Sequence, residues 1–600
     1  MMQALIQGEL NGADKNIKNQ SGSQLNVFGA HMSPAVLAFF LRMQQMASFH
    51  KVNEELEAIT GIRDCFKDEE EWLQFRSALH SEGEMKTETD RAEFGDFQTP
   101  PELAEKITKL VSRNGSLPGT LIEPTCGKGH FIMAALRIFP SIREVHGLDI
   151  HLPYLWQTKF SLIELYLENP SLNKPVIHLH HANVFDFSFE TLAPDEQQSL
   201  LIIGNPPWVT NSMLGSLASS NLPEKSNFKQ HEGIAAVTGK GNFDIAENIT
   251  LMLLKAFHGF SGEMTMLVKN SVIRNILLEQ FRLRFSIGEM RQYQINCLKE
   301  FEVKAEASLF SCKLNSEADF TCTQRSFYRP EEAALAFGWV EDKFVSNTVS
   351  YIQHRYIDGR SPLEWRQGLK HDCTLVMELE KNGKDYRNAL QQTIRLEDEL
   401  VFGLLKSSDL QQDLVDSARK FTIVTQQRPG ADTDFIRQYP ATWDYLQQHR
   451  QLFLNRRSSI YKNKPAFSIF GIGDYSFKPY KVAISGLYKS FRFALVLPQN
   501  GKPLMLDDTC YMLGFDEQDY AVYTLILLNS AAAKGFLESI TFCDAKRTFT
   551  KEALMRIDLQ ALAKHLPEME LQQEIEKLNK RYQLQVTAAN WKAYCQWQIK

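Results

Sequence analysis

Cysteine is scarce in this sequence and nowhere paired: nine residues in 600, none in a C-x-x-C spacing. Cys65, Cys126, Cys297, Cys312, Cys322, Cys373, Cys510, Cys543 and Cys595 are too scattered for a disulfide framework, so free thiols in a reducing compartment are expected. Long hydrophobic runs are missing as well. No stretch of about 18 uncharged apolar residues occurs, and the first residues lack the basic, apolar and small-residue zones of a secretory signal. A cytoplasmic location and no membrane partner are the expectation. Nor does one sign of charge prevail: 66 Lys and Arg against 72 Asp and Glu give a net charge of −6 and a pI of about 6.2. That balance excludes a uniformly basic nucleic-acid coat and confines any DNA contact to a local patch.

What remains is ordinary globular material, with 44% hydrophobic and 23% charged residues. Six hundred residues predict about three or four domains. Residues 1–90 begin with a polar Asn/Gln/Ser/Gly-rich stretch and continue with apolar residues at helical spacing (Val36, Leu37, Phe40, Leu41, then Trp72, Phe75, Leu79), which predicts a helical N-terminal arm. Over 91–320, short apolar runs alternate with longer amphipathic segments. The runs are Thr120–Glu123, Val145–Ile150, Val176–Leu179, Leu200–Ile203, Met264–Val268, Arg291–Cys297 and Ala307–Leu314. Strand-then-helix alternation means an α/β domain with a doubly wound, largely parallel sheet. Residues 321–550 carry short elements and turn signals such as Pro498-Gln499-Asn500-Gly501, a mixed α/β domain. Residues 551–600, with Leu571, Ile575 and Leu578 at helical spacing, predict a C-terminal helical segment. No internal repeat is present.

Three places carry chemistry. In Leu121-Ile122-Glu123-Pro124-Thr125-Cys126-Gly127-Lys128-Gly129-His130-Phe131 an apolar strand ends in an acid, and a small-residue turn lets a ligand approach the backbone before a helix opens. In Val145-His146-Gly147-Leu148-Asp149-Ile150 a second strand ends in Asp149, placed where a doubly wound fold puts a carboxylate on ribose hydroxyls. The third is Leu201-Ile202-Ile203-Gly204-Asn205-Pro206-Pro207-Trp208. Two prolines fix its backbone and remove donors, so carbonyls and the Asn side chain face outward as acceptors beside a flat aromatic. Such a pair suits a planar amine.

The order Phe97-Gln98-Thr99-Pro100-Pro101, then the Glu123–Phe131 turn, then Gly147-Leu148-Asp149, then Asn205-Pro206-Pro207-Trp208, then Ala305-Glu306-Ala307-Ser308-Leu309-Phe310 resembles gamma-class adenine-N6 DNA methyltransferases of restriction–modification systems. The resemblance covers residues 94 to 314. It implies S-adenosylmethionine as cofactor, held by Thr99, Pro100, Glu123, Pro124, Thr125, Cys126, Gly127 and Gly129 around its methionine part, by Asp149 and Ile150 at the ribose, and by Asn183 and Val184 at the adenine. Asn183 stands where the family usually has Asp, and Trp208 where it more often has Tyr or Phe; an Asn oxygen still accepts and an indole still stacks. The resemblance further implies that the target adenine leaves the duplex. Within the catalytic run Asn205, Pro206, Pro207 and Trp208, Asn205 and the Pro206 carbonyl would accept its two amine hydrogens, with Trp208 and Phe301 flanking the ring. Double-stranded DNA is the implied partner, and a separate restriction endonuclease a candidate second one. RNA bases and protein amides are alternative substrates of the same fold.

Residues 321–550 look like the target-recognition region of such enzymes, through Trp365-Arg366-Gln367-Gly368-Leu369-Lys370-His371-Asp372 and Ile472-Gly473-Asp474-Tyr475-Ser476-Phe477. Between Arg419 and Arg492 thirteen basic residues face four acidic ones, interleaved with tyrosines. Arg428, Arg456, Arg457, Lys462, Lys464, Lys478 and Lys481 are the expected phosphate contacts. Other signals are weaker. Thr238-Gly239-Lys240-Gly241 lacks the spacing of a phosphate loop, and Asp68 with Glu84-Met85-Lys86 imitates a nuclease triplet within helical sequence. His178, His180 and His181 have no acid or cysteine completing a set in their own stretch, so no metal is expected.

Overall fold

In this computed structural model the described residues are 25–46, 48–79, 97–192, 194–195, 197–209, 244–489, 491–542 and 548–597. The Glu84–Lys86 and Thr238–Gly241 segments lie outside them. Two units divide the chain, Met1–Gly338 and Trp339–Lys600.

The first unit opens with a hairpin, β1 (Leu25–Val27) and β2 (Ala30–Met32), and helices Pro34–Met43, Phe49–Thr60 and Glu69–Ala78. Ser33 caps the first helix through the Val36 amide, with Pro34 in its first turn, and Asp68 caps the third through the Glu71 amide. That cap accounts for Asp68. The apolar faces of this segment pack onto helix Leu152–Glu168: Phe75 stacks on Trp156 with centroids 5.4 Å apart and planes at 20°, and Phe40 meets Phe160 edge on. The N-terminal helices and the sheet domain thus share one hydrophobic core.

Strands β3 (Pro118–Glu123), β4 (Glu144–Asp149), β5 (Val176–His181), β6 (Ser199–Gly204) and β7 (Gly262–Lys269) run parallel in the order β5-β4-β3-β6-β7. Every residue of β3 is buried, as in a parallel strand covered on both faces. Beyond β7 the strands β8 (Ile287–Gln294) and β9 (Ala307–Leu314) complete the doubly wound α/β sheet, with β9 inserted antiparallel between β7 and β8. Further strands β10 (Thr321–Ser326) and β11 (Leu335–Val340) carry the same sheet past residue 320. Strand β8 starts four residues before the expected Arg291. Its register shifts between Gly288 and Arg291, and Glu289, Arg291 and Gln292 interrupt the apolar pattern. Cys297, expected to close that strand, instead begins the helical turn Cys297–Phe301, capped by Asn296.

Strand order reverses at β3, since the next strand in sequence lies on one side and β6 on the other. In open α/β sheets a crevice forms there, outside the carboxyl ends of the strands, and ligands bind in it. Glu123, Asp149 and the Asn205 turn all stand at such ends.

The second unit has two sheets. One joins Arg366–Gln367, Cys510–Phe515, Tyr480–Ser485, Ala494–Val496 and Leu414–Val415; the other joins Thr393–Ile394, Asp385–Asn388, Glu378–Asn382, Lys420–Ile423, Val401–Leu405 and Met505–Leu506. Helix Gln518–Asn529 is buried along most of its length against the first sheet, and helix Glu568–Tyr582 adds Leu571 and Ile575 to the same core. Among the described residues no single helix is long and apolar enough to cross a membrane.

Candidate active site

The turn after β3 is tied to β4 by backbone and side chain together. Cys126 N donates to Leu148 O at 2.7 Å, and both Asp149 oxygens accept amides, Gly127 N at 2.8 Å and His151 N at 2.7 Å. Two of the sequence landmarks are therefore one rigid piece. Gly127 has φ +52°, and a Cβ there would stand 2.3 Å from the Gln98 side chain, whose Oε1 accepts the Lys128 amide at 3.1 Å. Gly129, also left-handed at φ +73°, caps helix His130–Ile138, and a Cβ on it would strike Thr158. Neither position has room for a side chain.

Around that loop the predicted cofactor ligands take distinct positions. Glu123 is buried and accepts the Ile132 amide at 3.2 Å; burial pushes its carboxyl well above the usual range. Burial likewise lifts the Cys126 thiol, which makes it a packing residue rather than a nucleophile. Thr125 Oγ1 is buried without a hydrogen-bond partner among the described residues. Pro124 is buried, Ile150 is exposed at the strand end, and Val184 is buried. Asn183 Oδ1 accepts the Phe185 amide at 3.1 Å, so one of its two acceptor positions is already taken.

At the end of β6, Asn205 Nδ2 donates to the Phe97 carbonyl at 2.7 Å and to Thr99 Oγ1 at 3.2 Å. Phe97 O can only accept, which fixes the amide's orientation and leaves Oδ1 as the outward acceptor. That oxygen is buried and has no hydrogen-bond partner among the described residues. The segment Phe97–Pro100 thus serves both landmarks, through Gln98 on the glycine turn and through Thr99 on Asn205. Trp208 is 5% exposed, donates Nε1 to Leu267 O at 3.2 Å, and meets Phe301 edge on at 5.3 Å and 69° and Phe97 at 5.4 Å. Trp208 and Phe301 touch rather than face each other across a slot.

Sequence reasoning missed the groups that hold this turn in place. Lys269, at the end of β7, donates to Trp208 O at 2.7 Å and to Asp244 at 2.8 Å, and Ile245 N donates to Val209 O at 3.0 Å. Burial raises the Asp244 carboxyl even though Lys269 opposes the shift. His130 Nδ1 lies 2.6 Å from Thr99 O, and burial lowers that imidazole's pKa, which favours the neutral, Nδ1–H donor form. A lysine closing a strand was the one available signal.

In the second unit the expected phosphate contacts divide. Arg456 is half-buried and directed inward, donating to the carbonyls of Phe453, His371, Ser468 and Ala466 at 2.7–3.0 Å and lying 3.6 Å over the Tyr461 ring. Lys481 is wholly buried, donates to Lys478 O at 2.7 Å, and is lowered to about 7 by burial. Neither reaches solvent phosphate, a correction to the reading from composition. Arg457, Lys462 and Lys464 are exposed, Arg428 pairs with Asp474 at 3.4 Å, and Lys478 pairs with Asp516. The two stretches singled out in sequence converge here. Lys370 bridges Phe470, and a cavity of about 540 Å³ is lined by Arg366, Arg428, Gly473, Asp474 and Tyr475 among others. Arg366 lies over the Tyr475 ring at 5.2 Å.

Comparison with known proteins gives the chain's relatives. It is 37% identical over 486 residues to the Type II methyltransferase M.NspV of Nostoc sp., an alignment spanning 80% of this chain and 98% of the relative. Among solved structures it is similar to the Type IIL restriction-modification enzyme MmeI in complex with DNA, at 12% identity and a TM-score of 0.47, over 96% of this chain and 79% of that one. The Type ISP restriction-modification enzyme LlaGI matches at 9% identity and a TM-score of 0.41, over 79% of this chain and 46% of that one. No family model matches.

Proposed function

The chain belongs to the Type II methyltransferase family, and on that premise we propose that it methylates the exocyclic N6 of adenine in duplex DNA, with the gamma-class arrangement of roles, as the modification enzyme of a restriction–modification system. Its cofactor is S-adenosylmethionine, which when bound supplies an electrophilic methyl group on a sulfonium centre. The residues present fit that group: bare backbone at Gly127 and Gly129, an orphaned hydroxyl at Thr125, and Asp149 at the neighbouring strand end. Thr99, Pro100 and the Glu123–Gly129 turn would hold its methionine part, Asp149 and Ile150 its ribose, and Asn183 and Val184 its adenine.

The orphaned Oδ1 of Asn205 carries the reading. A buried acceptor without a partner costs stability, on the order of 1–3 kcal/mol, which the hydrogen of a bound amine would recover. An amine offers two hydrogens, one for Oδ1 and one for the Pro206 carbonyl; satisfying both turns the nitrogen lone pair away from them and toward the methyl donor. The target adenine must leave the stack to present that amine. Trp208 and Phe301 would flank the extruded ring, which requires their edge contact to open. Once it has attacked, the nitrogen is cationic and strongly acidic, and its proton departs to water without a strong protein base. Exposed Arg457, Lys462 and Lys464, with Arg428 and Lys478, would face phosphates, and a separate endonuclease cleaving unmethylated sites would be the partner. The test is transfer of labelled methyl from S-adenosylmethionine to duplex DNA, followed by nucleoside analysis. Label in N6-methyladenine supports the proposal; label in cytosine, RNA or protein alone overturns it.

A further inference from the structure

The histidine run at the end of β5 acquires partners that no local spacing reveals. Parallel pairing puts His146 opposite His178 and Leu148 opposite His180, with Glu144 one pleat back on β4. Because alternate residues share a face, Glu144, His146, His178 and His180 all project from the side of the sheet opposite Val145 and Ile177. Glu144 Oε1 lies 3.3 Å from His146 Nε2 and 3.6 Å from His178 Nε2, and one ligand atom from each of the three falls within 4.8 Å of the others. The two imidazoles are nearly parallel, planes at 9° and centroids 5.0 Å apart, so they present the same edge.

Two further observations separate this cluster from simple packing. His146 is 5% exposed, and among the described residues its Nε2 has no hydrogen-bond partner: the nearby carboxylate lies within ion-pair distance but out of line for a hydrogen bond. Its other nitrogen, Nδ1, stands 3.4 Å from His180 Nε2. A proton on Nδ1 donated to His180 leaves the buried Nε2 as a lone pair aimed into the cluster, the second-shell arrangement typical of metal-binding histidines. Ligands at about 2.0–2.1 Å from a tetrahedral ion stand roughly 3.3–3.4 Å apart, close to the two carboxylate–imidazole separations seen here. His178 and Glu144 are partly exposed, which opens one side of the cluster to water.

We propose that Glu144, His146 and His178 bind a divalent transition-metal ion of the zinc class as a clasp between β4 and β5, with His180 positioning His146 and water completing the coordination. Two imidazoles and one carboxylate suit zinc, cobalt or nickel rather than the all-oxygen preference of calcium or magnesium. Glu144 opens β4, whose other end carries Asp149.

The experiment uses full-length protein without a polyhistidine tag, stripped with chelator and then titrated with Zn²⁺ against a chromophoric competitor. One equivalent should bind, with a rise in Tm, and Co²⁺ in its place should show the visible absorption of a four-coordinate ion. His178→Ala and Glu144→Gln, both at partly exposed positions, should each lower zinc affinity at least tenfold while the metal-free Tm stays that of the parent. Less than one equivalent in the parent, or parent-like affinity in both variants, overturns the proposal.

Discussion

At the Asn205 turn the motif is tied to a backbone element: Asn205 directly follows β6 with its amide held by Phe97 and Thr99, and Trp208 donates to Leu267 O. Along Arg419–Arg492 thirteen cations share a stretch of chain without sharing a direction. Arg456 holds four carbonyls inside the fold and Lys481 has no exposure at all, while Lys462 and Lys464, a few residues from Arg456, face outward. The difference is between a motif whose spacing is tied to a backbone element and a composition that is not. Order along a strand end predicts orientation; net charge over seventy-odd residues predicts only supply.

The sharpest way to break this contrast is Asn205→Ala. Removing the acceptor should lower methyl transfer about 10²–10³-fold, the loss typical of one preorganised catalytic hydrogen bond, with cofactor affinity unchanged. Single-turnover rates beside cofactor titration measure both, and a parent-like rate would remove the turn's claim to chemistry. Next in size is Arg456→Ala. It strands several buried carbonyls and should cost roughly 2–4 kcal/mol of stability by denaturant unfolding, while leaving the salt dependence of DNA affinity alone. A flattened salt slope with parent stability would return Arg456 to the surface role read from composition.

Lys481 sharpens the same point through pH. Its native value is lowered to about 7 from 10.5, so between those two the unfolded chain holds a proton that the native chain does not. Stability contributed by this residue therefore rises with pH across that window, and the penalty is fully present below it. Lys481→Met should raise Tm at neutral pH and flatten its rise toward pH 9; an unchanged profile would mean that the ammonium is solvated. The smallest effect belongs to Lys462→Gln with Lys464→Gln. Each lost phosphate contact should reduce the slope of log affinity against log salt by about 0.9, equally on all sequences, with no change in Tm.

Much of the first unit was legible because its candidate site residues sit at strand ends and its strands read as apolar runs. Glu123, Asp149 and Asn205 stand at such ends, in the order the alternation implied. What stayed hidden depends on pairings made across the sheet. Lys269 and Asp244 reach the Asn205 turn from a neighbouring strand and helix start, and Gln98 lies on a loop thirty residues before Lys128, whose amide it accepts. Glu144 and His178 are 34 positions apart and meet only through parallel register. Strand β8 was displaced because its irregular register breaks the period-two pattern that marks a strand. The N-terminal helices were visible as helices, but their shared core with Trp156 and Phe160 needed the aromatic contacts themselves.

A side-chain amide anchored as firmly as that of Asn205 also discriminates by refusal. With Nδ2 held by Phe97 and Thr99, the group cannot rotate to offer its hydrogens, and the prolines beside it have none. A ring that carried a carbonyl where adenine carries its amine would bring lone pairs against lone pairs at a buried acceptor. Guanine O6 and thymine O4 are groups of that kind. On the proposed reading, two hydrogen bonds made by Asn205's nitrogen would act as a filter on which extruded base can stay.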